Sequence, residues 1–212
     1  MKRTLQEFDE RGWIHERDGE ITQSVGGAFI LDAYEDFTDR AELVDELRPF
    51  FSRIAKEDCD AGPTAFEDAT VIEMDPAYPF ATVEYVQERY REASEHANVL
   101  LTYVSIGLLK KITEVAREGD IDRTIVLDQT VQEAIETRPE YHELFTEQTT
   151  GADLYVLDEE FPFTCGIIDD HAILTVSDDD GLPSVLLGTS NEAFLEVIER
   201  RFRTVFERAR PL

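Results

Sequence analysis

The sequence predicts an α/β protein with a small helix-and-hairpin segment in front. Strand and helix patterns alternate from about residue 70 to the carboxyl terminus, a long apolar-periodic stretch precedes them, and a helix–Gly–strand–turn–strand pattern opens the chain. The 212 residues are 42% hydrophobic and 10% aromatic, enough to bury a core, so disorder is excluded as the main state. No run of eighteen apolar residues exists, and Met1–Gln6 has no apolar segment behind its charges. Neither a membrane span nor a secretory signal is expected. Cys59 and Cys165 stand too far apart for a disulfide framework, which fits a reducing cytoplasm.

Charge sets the chain apart. Forty-seven acids oppose twenty bases, for a net charge of −27. The only lysines are Lys2, Lys56, Lys110 and Lys111, and arginine supplies the other bases. A lysine-poor acid excess spread over the whole chain is the surface expected of a high-salt cytoplasm, where screening removes self-repulsion. Net charge therefore reports habitat and does not exclude a nucleic-acid partner.

At the amino terminus, residues 2–11 fit a helix with Leu5 and Phe8 on one face, ended by Gly12. Trp13–Glu16 and Ile21–Gln23 fit two strands around the Asp18-Gly19 turn. Residues 1–20 carry four bases and six acids, so this segment is less acidic than the rest. The stretch RTLQEFDERGWIHERDGEITQSVGG resembles the end of a winged helix-turn-helix domain of archaeal transcriptional regulators. Its marks are Glu10-Arg11-Gly12, then Thr22, then Gly26 or Gly27. The resemblance implies DNA binding, with Lys2, Arg3, Thr4, Gln6 and Arg11 on or beside the recognition helix and Arg17 at the wing tip. The bland alternative is an amphipathic helix and hairpin without DNA contact. The helices that precede a recognition helix are not in the sequence, so either a truncated regulator or an upstream start is expected.

The expected domains are a partial winged helix over 1–26, a linker and dimerisation helix over 27–56, and an effector-sensing α/β domain over 57–212. The linker carries Phe29, Ile30, Tyr34, Phe37, Val44 and Leu47 at three–four spacing. Such a connector makes the two-fold contact in DNA-binding dimers, and intramolecular packing is the alternative. In the larger domain, a helix from Val83 to Ala97 precedes the apolar strand Val99–Val104. A helix from Ile106 to Glu118 leads to the strand Asp122–Leu127, so the two strands should be parallel. Residues 130–148 hold helix broken at Pro139. The segments Ala152–Leu157, Cys165–Ile168, Ala172–Val176 and Val185–Leu187 read as strands, with a tight turn at Asp169-Asp170-His171. Asn191–Ala209 closes the chain as a helix.

Three stretches, GLLKKITEVAREGDIDRTIVLD, EEFPFTCGIIDDHAIL and NEAFLEVIERRFRTVFERA, resemble the effector domain named for a regulator of methanogenesis, over roughly residues 60–209. The layout is also similar to half of a phospholipase-D-type fold. That chemistry needs His-x-Lys shortly before an Asp, the His as nucleophile and the Lys to hold phosphoryl oxygens. Counting back from Asp170 gives Phe163 and Cys165, and from Asp169 gives Pro162 and Thr164, so catalysis is not expected.

His15, His96, His142 and His171 share no ligand spacing and read as surface or capping residues, and no phosphate loop or zinc motif occurs. No metal or cofactor is expected. Asp178–Gly181 reads as a solvated turn and Cys165 as a buried thiol. The bases Arg200, Arg201, Arg203, Arg208 and Arg210 form a terminal patch suited to a helix carboxyl end, or to a phosphate or acidic partner. Ligands of parallel sheets sit beyond strand carboxyl ends, which makes Val104, Ser105, Leu127 and Asp128 candidate effector contacts. Together these readings predict a cytoplasmic, dimeric, non-enzymatic DNA-binding regulator with an unknown small-molecule effector. The second reading is a stand-alone ligand-binding or dimerising module that never touches DNA.

Overall fold

The computed structural model describes residues 2–212 except 18, 76, 79, 108, 109, 111–120, 149–151, 179 and 180. The chain divides into two compact units, Met1–Glu46 and Leu47–Leu212.

The first unit is built by local rules. Helix α1 (Lys2–Glu10) stops at Gly12, whose φ of +70° suits a residue without a side chain. The Gly12 N–H donates to Asp9 O at 2.9 Å and the Trp13 N–H to Phe8 O at 2.8 Å. The Phe8 and Trp13 rings then meet at 5.2 Å, which completes a Schellman cap with its hydrophobic contact. Strands β1 (Ile14–Arg17) and β2 (Glu20–Gln23) form an antiparallel hairpin, with Arg17 opposite Glu20. Ser24 caps the next helix by accepting the Gly27 N–H at 2.9 Å. That helix, α2 (Val25–Glu46), is 22 residues long.

The expected linker helix of 27–56 is therefore shorter at its far end. Pro49 has no N–H to continue the ladder, and the chain restarts as the four-residue α3 (Arg48–Phe51). Leu47 and Phe50, 2% and 0% exposed, belong to the core of the second unit.

The second unit is one mixed eight-stranded sheet among the described residues. In chain order it comprises β3 (Thr70–Glu73), α4 (Ala81–Glu92), β4 (His96–Leu101), β5 (Asp122–Leu127), α5 (Gln129–Thr137), α6 (Pro139–Gln148), β6 (Ala152–Val156), β7 (Phe163–Ile168), β8 (His171–Ser177), β9 (Pro183–Thr189), α7 (Glu192–Phe206) and β10 (Arg210–Pro211). The spatial order is β10-β6-β5-β4-β7-β8-β9-β3. As expected, β4 and β5 are parallel, and so are β5 and β6, while the other pairs are antiparallel. The expected crossover helix from Ile106 to Glu118 lies largely outside the described residues. The terminal strand β10 was not expected. It pairs Arg210 with Val156 and Pro211 with Tyr155.

Helix packing follows from alternation along the strands. One face meets α7, whose Phe194, Val197, Ile198 and Val205 are buried. Cys165 points to that side, where burial pushes its thiol up to about 12 against the pull of Arg201. The other face carries α4 and, beside it, α5 and α6. Leu127, Val131, Ile135 and Phe145 make the core beneath α5 and α6.

Helix α4 ends earlier than the sequence suggests, and strand β4 starts earlier. The reason is Asp169, which sits in the β7–β8 turn at φ +50°. Its carboxylate accepts the N–H groups of Ser94 (2.7 Å), Glu95 (3.0 Å) and His96 (2.9 Å), so these donors leave the helix ladder. Burial alone would raise the Asp169 pKa, but the donors from His96, Ser94 and Glu95 outweigh it and hold the carboxyl below its ordinary value. A lowered carboxyl pKa contributes stability that is complete above the unfolded value, about 3.9, and is lost as pH falls through the folded value. Asp169→Asn is therefore expected to flatten the acid limb of the melting temperature between about pH 5 and 2. Asp169→Ala should cost about 0.5–1.5 kcal/mol at neutral pH by removing the acceptor of donors that water can partly satisfy. Thermal melts across that range check both, and an unchanged acid limb in Asp169→Asn would refute the assignment.

Candidate effector cavity and dimer helix

A cavity of about 310 Å³ lies between α4 and the sheet. Its floor is Val99, Leu101, Ile125, Ile173 and Leu186, which alternation places on one face of β4, β5, β8 and β9. Its roof is Thr82, Val83, Val86 and Tyr90, on successive turns of α4. Tyr103, Val104 and Ser105 close the end beyond the carboxyl terminus of β4, together with Phe145 of α6. Met74 and Phe80, 37% and 46% exposed, stand at the rim. At the other end lies Arg123, the second residue of β5.

The wall is mostly hydrocarbon. Thr164 Oγ1 is already engaged by Thr102, 3.1 Å from its N and 3.0 Å from its Oγ1, and Thr82 Oγ1 lies 3.4 Å from Met74 Sδ. Tyr90 is half-buried, and desolvation of its hydroxyl pushes the pKa up to about 12 although Arg123 pulls it down. It remains a protonated donor at any physiological pH.

The sequence-predicted effector residues divide in two. Val104 and Ser105 line the cavity. Leu127 and Asp128 do not. Leu127 is 1% exposed within the core under α5. Asp128 caps α5 by accepting the Val131 N–H at 2.9 Å, and burial raises its carboxyl above the ordinary value. Most of the lining comes from strand interiors and from α4. The rule of strand carboxyl ends finds one end of the cavity and misses its length. Alternation marked these strand residues as buried. It could not show that α4 stands off them.

His171 also departs from expectation. It is 9% exposed and opens β8, with Nε2 2.7 Å from Tyr85 Oη and Nδ1 3.0 Å from Ser190 Oγ. Burial, then Arg89, lowers its pKa and keeps the ring neutral near pH 7. Three of the five terminal arginines are tied down by acids. Arg200 bonds Asp60 at 2.9 Å, Arg210 reaches Asp158 at 3.0 Å, and Arg208 pairs with Glu159. The Arg201 guanidinium donates to Glu57 O at 2.6 Å.

In the first unit, Thr4 and Gln6 are exposed on α1, where Gln6 donates to Glu10 at 3.3 Å. Lys2 and Arg3 fall on the first turn of α1, and their side chains lie outside the described set. Arg11 is exposed and sits 5.4 Å over the Trp13 ring, and Arg17 is exposed at the end of β1. The hairpin thus carries Arg17 at its turn, while α1 carries the other five candidates on or next to it.

Helix α2 presents an apolar seam to solvent. Ile30, Tyr34, Phe37 and Val44 are 45%, 65%, 67% and 53% exposed. With Ala41 they recur at intervals of four, three, four and three residues. That is the heptad period of a left-handed coiled coil. In this heptad Arg40 and Asp45 take the two flanking positions that face each other, five residues apart, across a parallel pair of helices.

Residues 79–208 match the middle domain of the methanogenesis regulatory protein FilR1, which is more than half of the chain. The chain belongs to this family. The matched span contains α4, nearly all of the sheet and most of the cavity wall. No curated protein matches the sequence. Among solved structures the chain is similar to TrmBL2, an archaeal chromatin protein with a described mode of DNA binding, at 12% identity and a TM-score of 0.50, covering 100% of this chain and 82% of that one. It is also similar to NucT from Helicobacter pylori at 14% identity and a TM-score of 0.52, covering 68% of this chain and 99% of that one. Nuc from Salmonella typhimurium, a phospholipase D family member, gives 13% identity and a TM-score of 0.52, with 68% and 97% covered. These likenesses establish a mixed α/β fold of phospholipase-D type.

The residues reached by counting back from Asp170 along the sequence are buried in the fold. Phe163 and Cys165 are 1% and 0% exposed, and Phe163 pairs with Val176. The Gly188–Asn191 segment is at the opposite end of the β7–β8 hairpin, since Thr189 pairs with Ala172. No group of three or more His, Cys, Asp or Glu able to hold a metal occurs among the described residues. No described helix is long and apolar enough to cross a membrane.

Proposed function

We propose that this protein is a DNA-binding transcriptional regulator, dimeric through α2, whose α/β unit senses a small molecule in the α4 cavity. The cavity carries the reading. A core packed to native density has few voids larger than water, and a hollow of about 310 Å³ in a regulator family's domain is the size of a small ligand site. The helix, Schellman-capped turn and hairpin ahead of it support the DNA-binding half, as does the likeness to an archaeal DNA-binding protein. The reading is non-enzymatic: these 212 residues hold no His-x-Lys pair, and counting back from Asp170 or Asp169 meets Phe163 and Cys165 or Pro162 and Thr164 instead.

In mechanism, a ligand that binds one cavity conformation better than another shifts the population of the unit. The shift reaches the helix pair through the junction at Glu46–Leu47 and alters the spacing of two wings. The test is fluorescence anisotropy of the chain on fragments of its own upstream region at several salt concentrations. Selective binding is expected, and each lost base contact costs about 1–3 kcal/mol, so Arg3→Ala with Gln6→Ala should weaken it about tenfold or more. Absence of selective binding at every salt concentration would favour the stand-alone ligand-binding module.

A further inference from the structure

We propose that Ser190 is an acyl-acceptor site, in which the buried ring of His171 takes the serine proton as Ser190 attacks an activated carbonyl. The site lies at the turn from β9 into α7, and none of its residues lines the α4 cavity.

A line of hydrogen bonds is the first ground. Ser190 is exposed, and its Oγ lies 3.0 Å from Nδ1 of His171. The other ring nitrogen, Nε2, lies 2.7 Å from Tyr85 Oη. The Thr70 hydroxyl bonds the Tyr85 oxygen in turn. A hydroxyl at the surface, a base behind it and a third group that orients the base are the parts of an activated nucleophile. The line can run in two directions. With its proton on Nε2, the ring donates to Tyr85 and accepts from Ser190, which is the form that can deprotonate the serine. An acylated Ser190 has no proton to give, so the line then runs the other way. Nδ1–H donates to Ser190, and Tyr85 donates to Nε2. Every member stays bonded in both directions, so the fold tolerates the modified serine.

Construction of the site is the second ground. Ala172 of β8 pairs with Thr189 of β9, and this register brings His171 opposite Ser190. The Tyr85 ring reaches His171 by lying against Gly188. A β-carbon there would stand 2.6 Å from Tyr85 Cε1 and 2.8 Å from Cζ, inside the space of the ring. Glycine at this one position of β9 lets a side chain of α4 complete the line.

Electrostatics is the third ground. Burial, then Arg89 of α4, lowers the His171 pKa, while Asp170 of the β7–β8 turn and Glu92 of α4 raise it. The ring is neutral near pH 7 and free to accept a proton, and two carboxylates attend the imidazolium that forms. Arg89 is itself held by Glu92 at 2.9 Å and Glu88 at 3.8 Å. Ser190 stands one residue before Asn191, the N-cap of the 15-residue α7. The positive end of that helix favours the negative charge that develops on an attacked carbonyl oxygen, with Glu192 as the opposing charge in its first turn. In the step itself the bond from Ser190 Oγ to the carbonyl carbon forms. The bond from that carbon to its leaving group breaks, and the electron pair departs with the leaving group. The serine proton passes to His171 and from there to the leaving group or water, and nothing is oxidised or reduced.

The experiment is reaction of the full chain with p-nitrophenyl acetate, read by mass spectrometry of the intact protein and its peptides. Ser52 is the internal reference, an exposed serine whose hydroxyl bonds Pro49 O and no histidine. A positioned base contributes about 10²-fold or more, so Ser190 should be acetylated at least about tenfold faster than Ser52. Its rate should be level above about pH 7 and half-maximal below about pH 6.5, the ordinary histidine value. His171→Asn should slow Ser190 to the rate of Ser52. Tyr85→Phe, which keeps the ring against Gly188, should slow Ser190 and leave Ser52 unchanged. Thermal melts verify that both variants fold, and the wild-type pH profile decides should His171→Asn not fold. Acetylation of Ser190 no faster than that of Ser52 would overturn the assignment and leave His171 a structural bridge. So would a Ser190 rate that keeps rising through about pH 8, or one unchanged in a folded His171→Asn.

Discussion

The double variant Tyr34→Glu, Phe37→Glu is expected to sediment as a monomer and to lose affinity for a two-half-site DNA by about 10²–10⁴-fold. The two rings occupy adjacent seam positions of α2, 65% and 67% exposed in the single chain. Soluble proteins seldom leave such a contiguous apolar stripe bare, and a heptad stripe is self-complementary to a second copy of itself. Two carboxylates per chain at the seam would face two more across the axis, in a protein whose surface is already strongly negative. The DNA effect follows from the loss of linkage between two wings, because each wing alone meets only one half-site. Both substitutions are at solvent-exposed positions of the chain, so its own fold should persist with an unchanged melting profile of the α/β unit. Sedimentation equilibrium at several salt concentrations decides the matter. A wild-type chain that is monomeric throughout would refute the seam as a dimer contact. An orientation test is also available: Arg40→Glu should weaken a parallel pair, and Asp45→Arg in the same chain should restore it.

Replacing Gly27 by Ala should disrupt the first unit while sparing the second. A β-carbon at Gly27 would stand 1.9 Å from Trp13 O and 2.8 Å from Trp13 C. Both are backbone atoms, fixed by the Trp13 N–H bond to Phe8 O and by the Ser24 N–H bond to Trp13 O at 3.1 Å. Nothing flexible can yield, so either α2 shifts off the start of the hairpin or the Ser24 cap is lost. Overpacking of this kind costs about 1–3 kcal/mol, and the cap about another 1 kcal/mol, a large share of what a 46-residue unit possesses. Trp13 is the only tryptophan of the chain, and it stacks near Phe8. Its emission should shift to the red in Gly27→Ala, and selective DNA binding should fall with it. The melting transition of the second unit should be unchanged, because Gly27 lies within the first. An unaltered Trp13 spectrum would show that α2 does not seat on the hairpin as described.

The elements these experiments address were unequally legible in the chain. Local chemistry announced much of the first unit. Gly12 and Gly19 are turn residues whose effect depends on their own backbone, so helix, turn and hairpin could be placed in order, whereas the Ser24 cap emerged only in the structure. The parallel pair β4–β5 was legible for a similar reason, since a strand, a crossover and a strand admit few arrangements. The division at Glu46 was not, because the apolar spacing continues through Leu47 and Phe50. Pro49 breaks the helix, but the burial of those two side chains in a different unit is a tertiary fact. The start of β4 was hidden likewise. The acceptor that stops α4 is Asp169, 75 residues from Ser94 along the chain.

The sequence by itself determined the fold class, the family resemblance, the hairpin and the amphipathic α2, because periodicity, turn residues and caps act within a few residues. It also excluded a His-x-Lys pair, which is a question of residue identity alone. Only the tertiary structure decided where the cavity lies, and that Arg123 and Tyr90 share one end of it. It likewise turned Asp128 from a candidate ligand contact into a helix cap, and His171 from a surface residue into a buried bridge between Tyr85 and Ser190. A void is a property of how far α4 stands from strands that are distant in sequence, and no local pattern records a distance between elements.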